Sequence, residues 1–212
     1  MKILVNLVGL SHNNVGNGMH SYKDGYPHLF ENVINPLREN NIVDFYLRTY
    51  NTEEHTNLLN TYQPIRYESL PDGGTNNSTS TAFDTYITSI ENLRNFDYDF
   101  FIVSRFDLVI KEKLNIDFSK FNFLFKEKLW WGNHNCTTDT FYGFPKEMLE
   151  GFISACKDTR SKHGQPGYLG LFHGLHKDLV NYIDSTQYHF IDDDLTTVQE
   201  SKKYTLGRYN SK

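Results

Sequence analysis

FIVSRFDLVI, residues 101–110, holds two apolar runs separated by a polar insert. Phe101, Ile102 and Val103, preceded by Phe100, read as a strand buried on both faces, since a sheet covered by helices calls for such a run. Leu108, Val109 and Ile110 resume it, and Ser104, Arg105 and Asp107 fall between. Ligands of α/β sheets collect outside the carboxyl ends of the strands, so polar side chains here are candidates for chemistry. Two residues apart on an extended chain, Arg105 and Asp107 point to one side, where aspartate suits a divalent cation and arginine a phosphate. A structural Arg–Asp pair capping the strand explains the same residues, and spacing does not choose between the two readings.

Outward from this stretch, strand and helix signals alternate. KILVNLVG (2–9) reads as a first buried strand, and LSHNNVGNGMHSYKDG (10–25) as a loop. YPHLFENVINPLREN (26–40) sets Leu29, Phe30, Val33, Ile34 and Leu37 at helical spacing, with Pro36 kinking or shortening the helix. IVDFYLRTY (42–50) is a second strand, and NTEEHTNLLNTYQP (51–64) a short helix capped at Asn51 or Thr52. IRYESL (65–70) is a third strand, PDGGTNNSTST (71–81) a flexible loop and AFDTYITSIENLRNF (82–96) an amphipathic helix. In the second half, FNFLFKEKLWWGN (121–133) and QYHFID (187–192) read as strands, and FPKEMLEGFISACKD (144–158) and LGLFHGLHKDLVNYID (169–184) as helices. The alternation predicts an α/β fold, a central mostly parallel mixed sheet flanked by helices, in one domain over 1–212.

Composition narrows the function classes. A formal charge of −5 opposes nucleic-acid binding, which needs surplus Lys and Arg on one face. Two cysteines, Cys136 and Cys156, without a CxxC, imply neither a disulfide framework nor a zinc ribbon, so a reducing, cytoplasmic setting is expected. MKILVNLVGL resembles a signal peptide only briefly, being broken by Asn6, and no run approaches the roughly 18 apolar residues of a membrane span.

KILVNLVG, ENVINPLREN, VDFYLRTYN, YDFFIVSRFDL and WWGNHNCTTDTFYGFPKEM, in that order, resemble small GT-A glycosyltransferases that decorate viral or bacterial glycans. In that family a strand of the form YDxVIRxRxDL does the job of an Asp-x-Asp motif. The likeness is narrowest to chlorella-virus domains that glycosylate the major capsid protein, and it covers roughly residues 1 to 200. It implies a GT-A-like single domain with a nucleotide-sugar half (1–110) and an acceptor half (111–212). It also implies a UDP-sugar donor, a glycan or glycoprotein acceptor and transfer with inversion, and leaves open that the chain is one module of a longer protein.

Placed on this sequence, the resemblance makes Asp107 the ligand of Mn²⁺ or Mg²⁺ on the donor diphosphate, with Arg105 beside it. A true Asp-x-Asp is absent, because Arg105 stands where the first aspartate would be. Val8, Gly9 and Leu10, ending the first strand, would hold the nucleotide base, and Arg48 and Tyr50, ending the second, its base or phosphates. Asp139, in HNCTTDTFYGFP, would deprotonate the acceptor hydroxyl, although an N-cap or turn role suits it too. Trp130 and Trp131 suit a sugar face or the core.

Other clusters are weaker. His173 with His176, and His134 with Cys136, lack a complete zinc set. Asp192, Asp193 and Asp194 form an acidic run that suits a solvated turn or, at a strand end, extra metal ligands or a substitute base, a role open to His189 as well. Two rivals remain: a metal-dependent phosphoester hydrolase using Asp107 with Asp192–Asp194, and a non-catalytic carbohydrate-binding module built on the tryptophans.

Overall fold

The computed structural model describes residues 1–15, 18–71, 79–127, 136–137, 140–162, 175–196 and 201–207. In chain order, β1 (Lys2–Gly9) is followed by a hairpin of β2 (His12–Val15) and β3 (Gly18–Ser21) and by α1 (Tyr22–Leu29). A π turn at Phe30–Ile34 carries α1 into α2 (Asn35–Arg38). Then come β4 (Ile42–Tyr50), α3 (His55–Tyr62), β5 (Arg66–Leu70), α4 (Thr79–Asn92), β6 (Phe100–Ser104) and β7 (Leu108–Ile110). The rest comprises β8 (Phe121–Glu127), β9 (Cys136–Thr137), β10 (Phe141–Pro145), α5 (Leu149–Ser161), α6 (Leu175–Leu179), β11 (Tyr188–Thr196) and β12 (Tyr204–Leu206).

The main sheet runs β5-β4-β1-β6-β10-β8-β11, with the short β9 attached to β8. Its pairings are parallel except for β10, which lies antiparallel between β6 and β8, and β9. The architecture is the expected α/β one, a mostly parallel mixed sheet flanked by helices, GT-A-like in one domain.

β1 lies at the centre because both its faces are apolar. Ile3, Val5 and Leu7 join the core under α1, α2 and α3, while Leu4 and Val8 join the core under α4 and α5. Burying each such side chain contributes about 1.5–3 kcal/mol. Asn6, between them, is also buried, and its Oδ1 accepts from Ser89 Oγ of α4 at 3.0 Å.

Three local readings change. The loop expected over 10–25 contains the hairpin, and α1 starts at Tyr22, where Ser21 Oγ accepts the Lys23 N–H. Phe141–Pro145, not expected as a strand and partly given to the helix over 144–158, is a fully buried strand, its Gly143 packed against the Phe100 ring. The helix expected over 169–184 ends at Leu179, and β12 has no counterpart in the reading. At Pro36, expected to kink or shorten its helix, the α-helical ladder gives way to the π turn just before the proline, and α2 ends at Arg38. The Asn32 carbonyl, which a proline nitrogen cannot engage, accepts from Leu114 N–H at 3.2 Å instead. Among the described residues no helix is long and apolar enough to cross a membrane.

Candidate ligand site at the carboxyl edge of the sheet

The parallel strands β1, β4, β5, β6, β8 and β11 end on one edge of the sheet, where the antiparallel β10 begins. From β1 the chain proceeds to β4 on one side and later to β6 on the other, so the strand order reverses between β1 and β6. Such a reversal opens the crevice in which α/β proteins bind ligands.

β6 stops at Ser104, Phe106 and Asp107 form a turn, and β7 starts at Leu108. Arg105 and Asp107 therefore do not lie on an extended strand as their spacing suggested; they meet across the turn. Arg105 Nε donates to Asp107 Oδ1 at 2.9 Å and Nη2 to Oδ2 at 3.1 Å. His20, from β3, brings Nδ1 to 3.0 Å from Oδ2. Asp107 is 1% exposed and His20 3%, whereas the Arg105 side chain keeps 23%. Burial pushes the Asp107 carboxyl up, but the Arg105 charge and the hydrogen bonds from His20 and Arg105 outweigh it and hold the carboxyl well below the usual carboxylate range.

The backbone of this turn is held from several directions. Gly207 N–H donates to the Asp107 carbonyl at 2.8 Å, beside the pairing of β12 with β7. Arg105 N–H and Ser104 Oγ both donate to the Thr140 carbonyl, at 3.2 Å each. From α1, Gly25 packs so closely that a Cβ there would stand 2.4 Å from the Phe106 carbonyl oxygen.

Gly9 ends β1 at φ +106°, a conformation that suits glycine and turns the chain into Leu10 and the hairpin. Ser11 follows, fully buried, its Oγ accepting from Thr49 Oγ1 at 2.7 Å. Of the other expected nucleotide contacts, Val8 is buried in the core under α4. Arg48 pairs with Glu68 of β5, while its buried Nε has no partner among the described residues. Glu68 also engages Arg66 and Asn92. Tyr50 OH lies 3.1 Å from Thr85 Oγ1 of α4. Arg48 and Tyr50 are thus tied to β5 and α4, as Arg105 is to Asp107, while Gly9 and Leu10 stand where β1 leaves the sheet.

As folded, Asp107 fits the expected Mn²⁺ or Mg²⁺ poorly: Arg105 and His20 fill three of its four lone-pair sites and the carboxylate is 1% exposed, so a cation would have to enter against Arg105 Nε or displace a donor. Among the described residues no group of three His, Cys, Asp or Glu side chains is placed to hold a metal. Asp139, the expected base, lies outside the described residues, as do Trp130, Trp131, His134 and His173, and so do the side chains of Cys136, Asp193 and Asp194. Asp192 is buried against Lys203, and His189 Nε2 meets the Asn115 carbonyl at 2.9 Å, an internal tie.

His20 is the site residue that sequence reasoning passed over. It sits in a Gly- and Asn-rich segment whose hairpin pairing leaves little local signal, and only the fold brings it to Asp107. Compared with known proteins, the chain matches no protein-family model and no curated protein.

Proposed function

We propose that the protein is a glycosyltransferase that moves a sugar from a UDP-sugar to a hydroxyl of a glycan or glycoprotein acceptor, with inversion at the anomeric carbon. The observation that carries this reading is the buried Arg105–Asp107–His20 cluster at the switch point of a GT-A-like sheet. A departing nucleoside diphosphate gathers negative charge, and a fixed guanidinium at the crevice mouth stabilises that charge without reorganising. Inversion needs one displacement, with a base on the acceptor hydroxyl. Asp139 is assigned that role; the next residue, Thr140, takes the Arg105 N–H on its carbonyl.

The hydrolase rival needs Asp107 to share a cation with one or more of Asp192, Asp193 and Asp194, all on β11. Asp192 stands on β11, which β10 and β8 separate from β6, about 14 Å at ordinary strand spacing, and it is paired with Lys203. That separation disfavours a shared ion.

The test is UDP release from a panel of UDP-sugars, with and without oligosaccharide acceptors. Release only when an acceptor is present is the expected result. Release without acceptor instead favours the hydrolase, and glycan binding without turnover the carbohydrate-binding module. Asp139→Asn is expected to keep UDP binding and lose turnover by about 10²–10⁴-fold; normal turnover would place the base elsewhere.

A further inference from the structure

A carboxylate that holds a metal must present it an open oxygen, and Asp107 presents little: Arg105 Nε, Arg105 Nη2 and His20 Nδ1 fill three of its four lone-pair sites, and the group is 1% exposed. Arg105 grips it side-on, Nε to Oδ1 and Nη2 to Oδ2, which fixes the plane of the guanidinium. An ionised carboxylate only accepts, so the 3.0 Å contact with His20 requires the proton on Nδ1. The 3.4 Å between His20 Nδ1 and Arg105 Nη2 is then the approach of two donors to one oxygen. A cation would have to reach the remaining site on Oδ1, beside the Arg105 guanidinium charge and inside an enclosure that leaves Asp107 1% exposed, or strip a donor and leave it poorly solvated. The cluster also has an inside and an outside: Asp107 and His20 are enclosed, and the Arg105 side chain is the member that keeps substantial exposure.

We infer that Asp107 is a positioning residue rather than a cation ligand: with His20 locking its second oxygen, it aims Arg105 at the diphosphate of the donor, so that donor binding needs no divalent cation. The inference rests on the glycosyltransferase reading above. It adds His20 to the site, changes the role of Asp107 and removes the metal dependence that a GT-A likeness implies. His20 ties the β2–β3 hairpin to the β6–β7 turn, so the guanidinium is held by two separate parts of the chain.

The test is calorimetry and thermal shift on the full chain with UDP and with inorganic pyrophosphate, each in EDTA and then in Mn²⁺. Binding of both probes in EDTA, changed less than about twofold by Mn²⁺, is expected; Arg105→Ala weakens both by about tenfold, the loss of one charge-assisted contact. Asp107→Asn weakens UDP equally in the two buffers, and His20→Gln does so more mildly. To separate aiming from mere folding, added ethylguanidinium should restore UDP binding to Arg105→Ala but not to Arg105→Ala/Asp107→Asn. UDP binding that appears only with Mn²⁺ and disappears in Asp107→Asn overturns the inference and leaves the transferase reading standing. No response to UDP in either buffer sinks the transferase reading; pyrophosphate binding in EDTA then still upholds the aimed Arg105, and its absence overturns that as well.

Discussion

Asp97 and Asp107 flank β6 at its two ends, and each stands between two basic side chains. Asp97, at the amino edge, lies 3.0 Å from Lys146 Nζ and 3.9 Å from Lys2 Nζ with its side chain 89% exposed. Asp107, at the carboxyl edge, meets Arg105 and His20 at similar distances with 1% exposed. Water already solvates Asp97 and both its lysines, so their attraction is screened and each loses little without the other. Asp107, Arg105 and His20 have largely exchanged water for one another, so each depends on the rest. The comparison teaches that ion-pair geometry says little until burial is known, and that a carboxylate between two basic side chains is a solvated surface pair at one edge and an enclosed cluster at the other.

Removing the carboxylate from each edge is the strongest way to break this contrast. Asp107→Ala strands the Arg105 charge and the His20 donor, and is expected to cost about 3 kcal/mol of stability in urea unfolding, near the lower bound for a broken buried pair because Arg105 is partly solvated. Asp97→Ala is expected to leave the unfolding midpoint unchanged. Equal effects would mean that the Asp107 cluster is solvated in solution.

The next test strikes the backbone beneath the cluster. Gly25→Ala would set a methyl 2.4 Å from the Phe106 carbonyl oxygen and 2.8 Å from that of Leu108. Neither atom is a flexible side-chain end, so α1 must back away from the turn, at about 1–3 kcal/mol. If the turn shapes the site, UDP binding weakens along with stability; an unchanged affinity would show that the turn tolerates the shift.

Acid sharpens the comparison further. The folded Asp107 carboxyl lies below its ordinary value of 3.8, so its stabilisation is present above that value and lost as pH falls towards the lower folded value. The stability gap between wild type and Asp107→Asn is therefore expected to be full at pH 7 and to narrow below about pH 4. A gap that persists unchanged at pH 2.5 would place its origin in shape rather than charge.

Much of the frame was legible in the sequence because its strands are uniform apolar runs. KILVNLVG and IVDFYLRTY became β1 and β4 with the same bounds, give or take a residue. What escaped were elements made by long-range pairing. Phe141–Pro145 carries both a glycine and a proline in five residues, local signs of a turn, and is a strand because β6 and β8 flank it. Tyr204–Leu206 is too short to show a period and exists as a strand by pairing with β7. The site divided in the same way. Arg105 and Asp107 stand out because charge interrupts an apolar run, whereas His20 lies 87 residues from its partner and nothing local marks it.

Between the two aspartates lies an intermediate case, with an expected effect between theirs. Glu54 accepts from Lys23 Nζ at 2.8 Å and from Asn57 Nδ2 at 2.8 Å, and these two hydrogen bonds, Lys23 first, hold its carboxyl down to about 2. Tyr22 OH also donates to it at 3.3 Å, joining α3 to the start of α1 just after the hairpin that carries His20. The Lys23 side chain is half-exposed, so solvent screens this cluster far more than the one at Asp107. Glu54→Gln is accordingly expected to lower the thermal midpoint slightly at pH 7. Because the folded value lies below the ordinary 4.5, the difference should fade as pH drops from about 4.5 towards 2. A loss as large as that of Asp107→Ala would mean that the anchorage of the hairpin, and not burial of the carboxylate, sets the stability of the carboxyl edge.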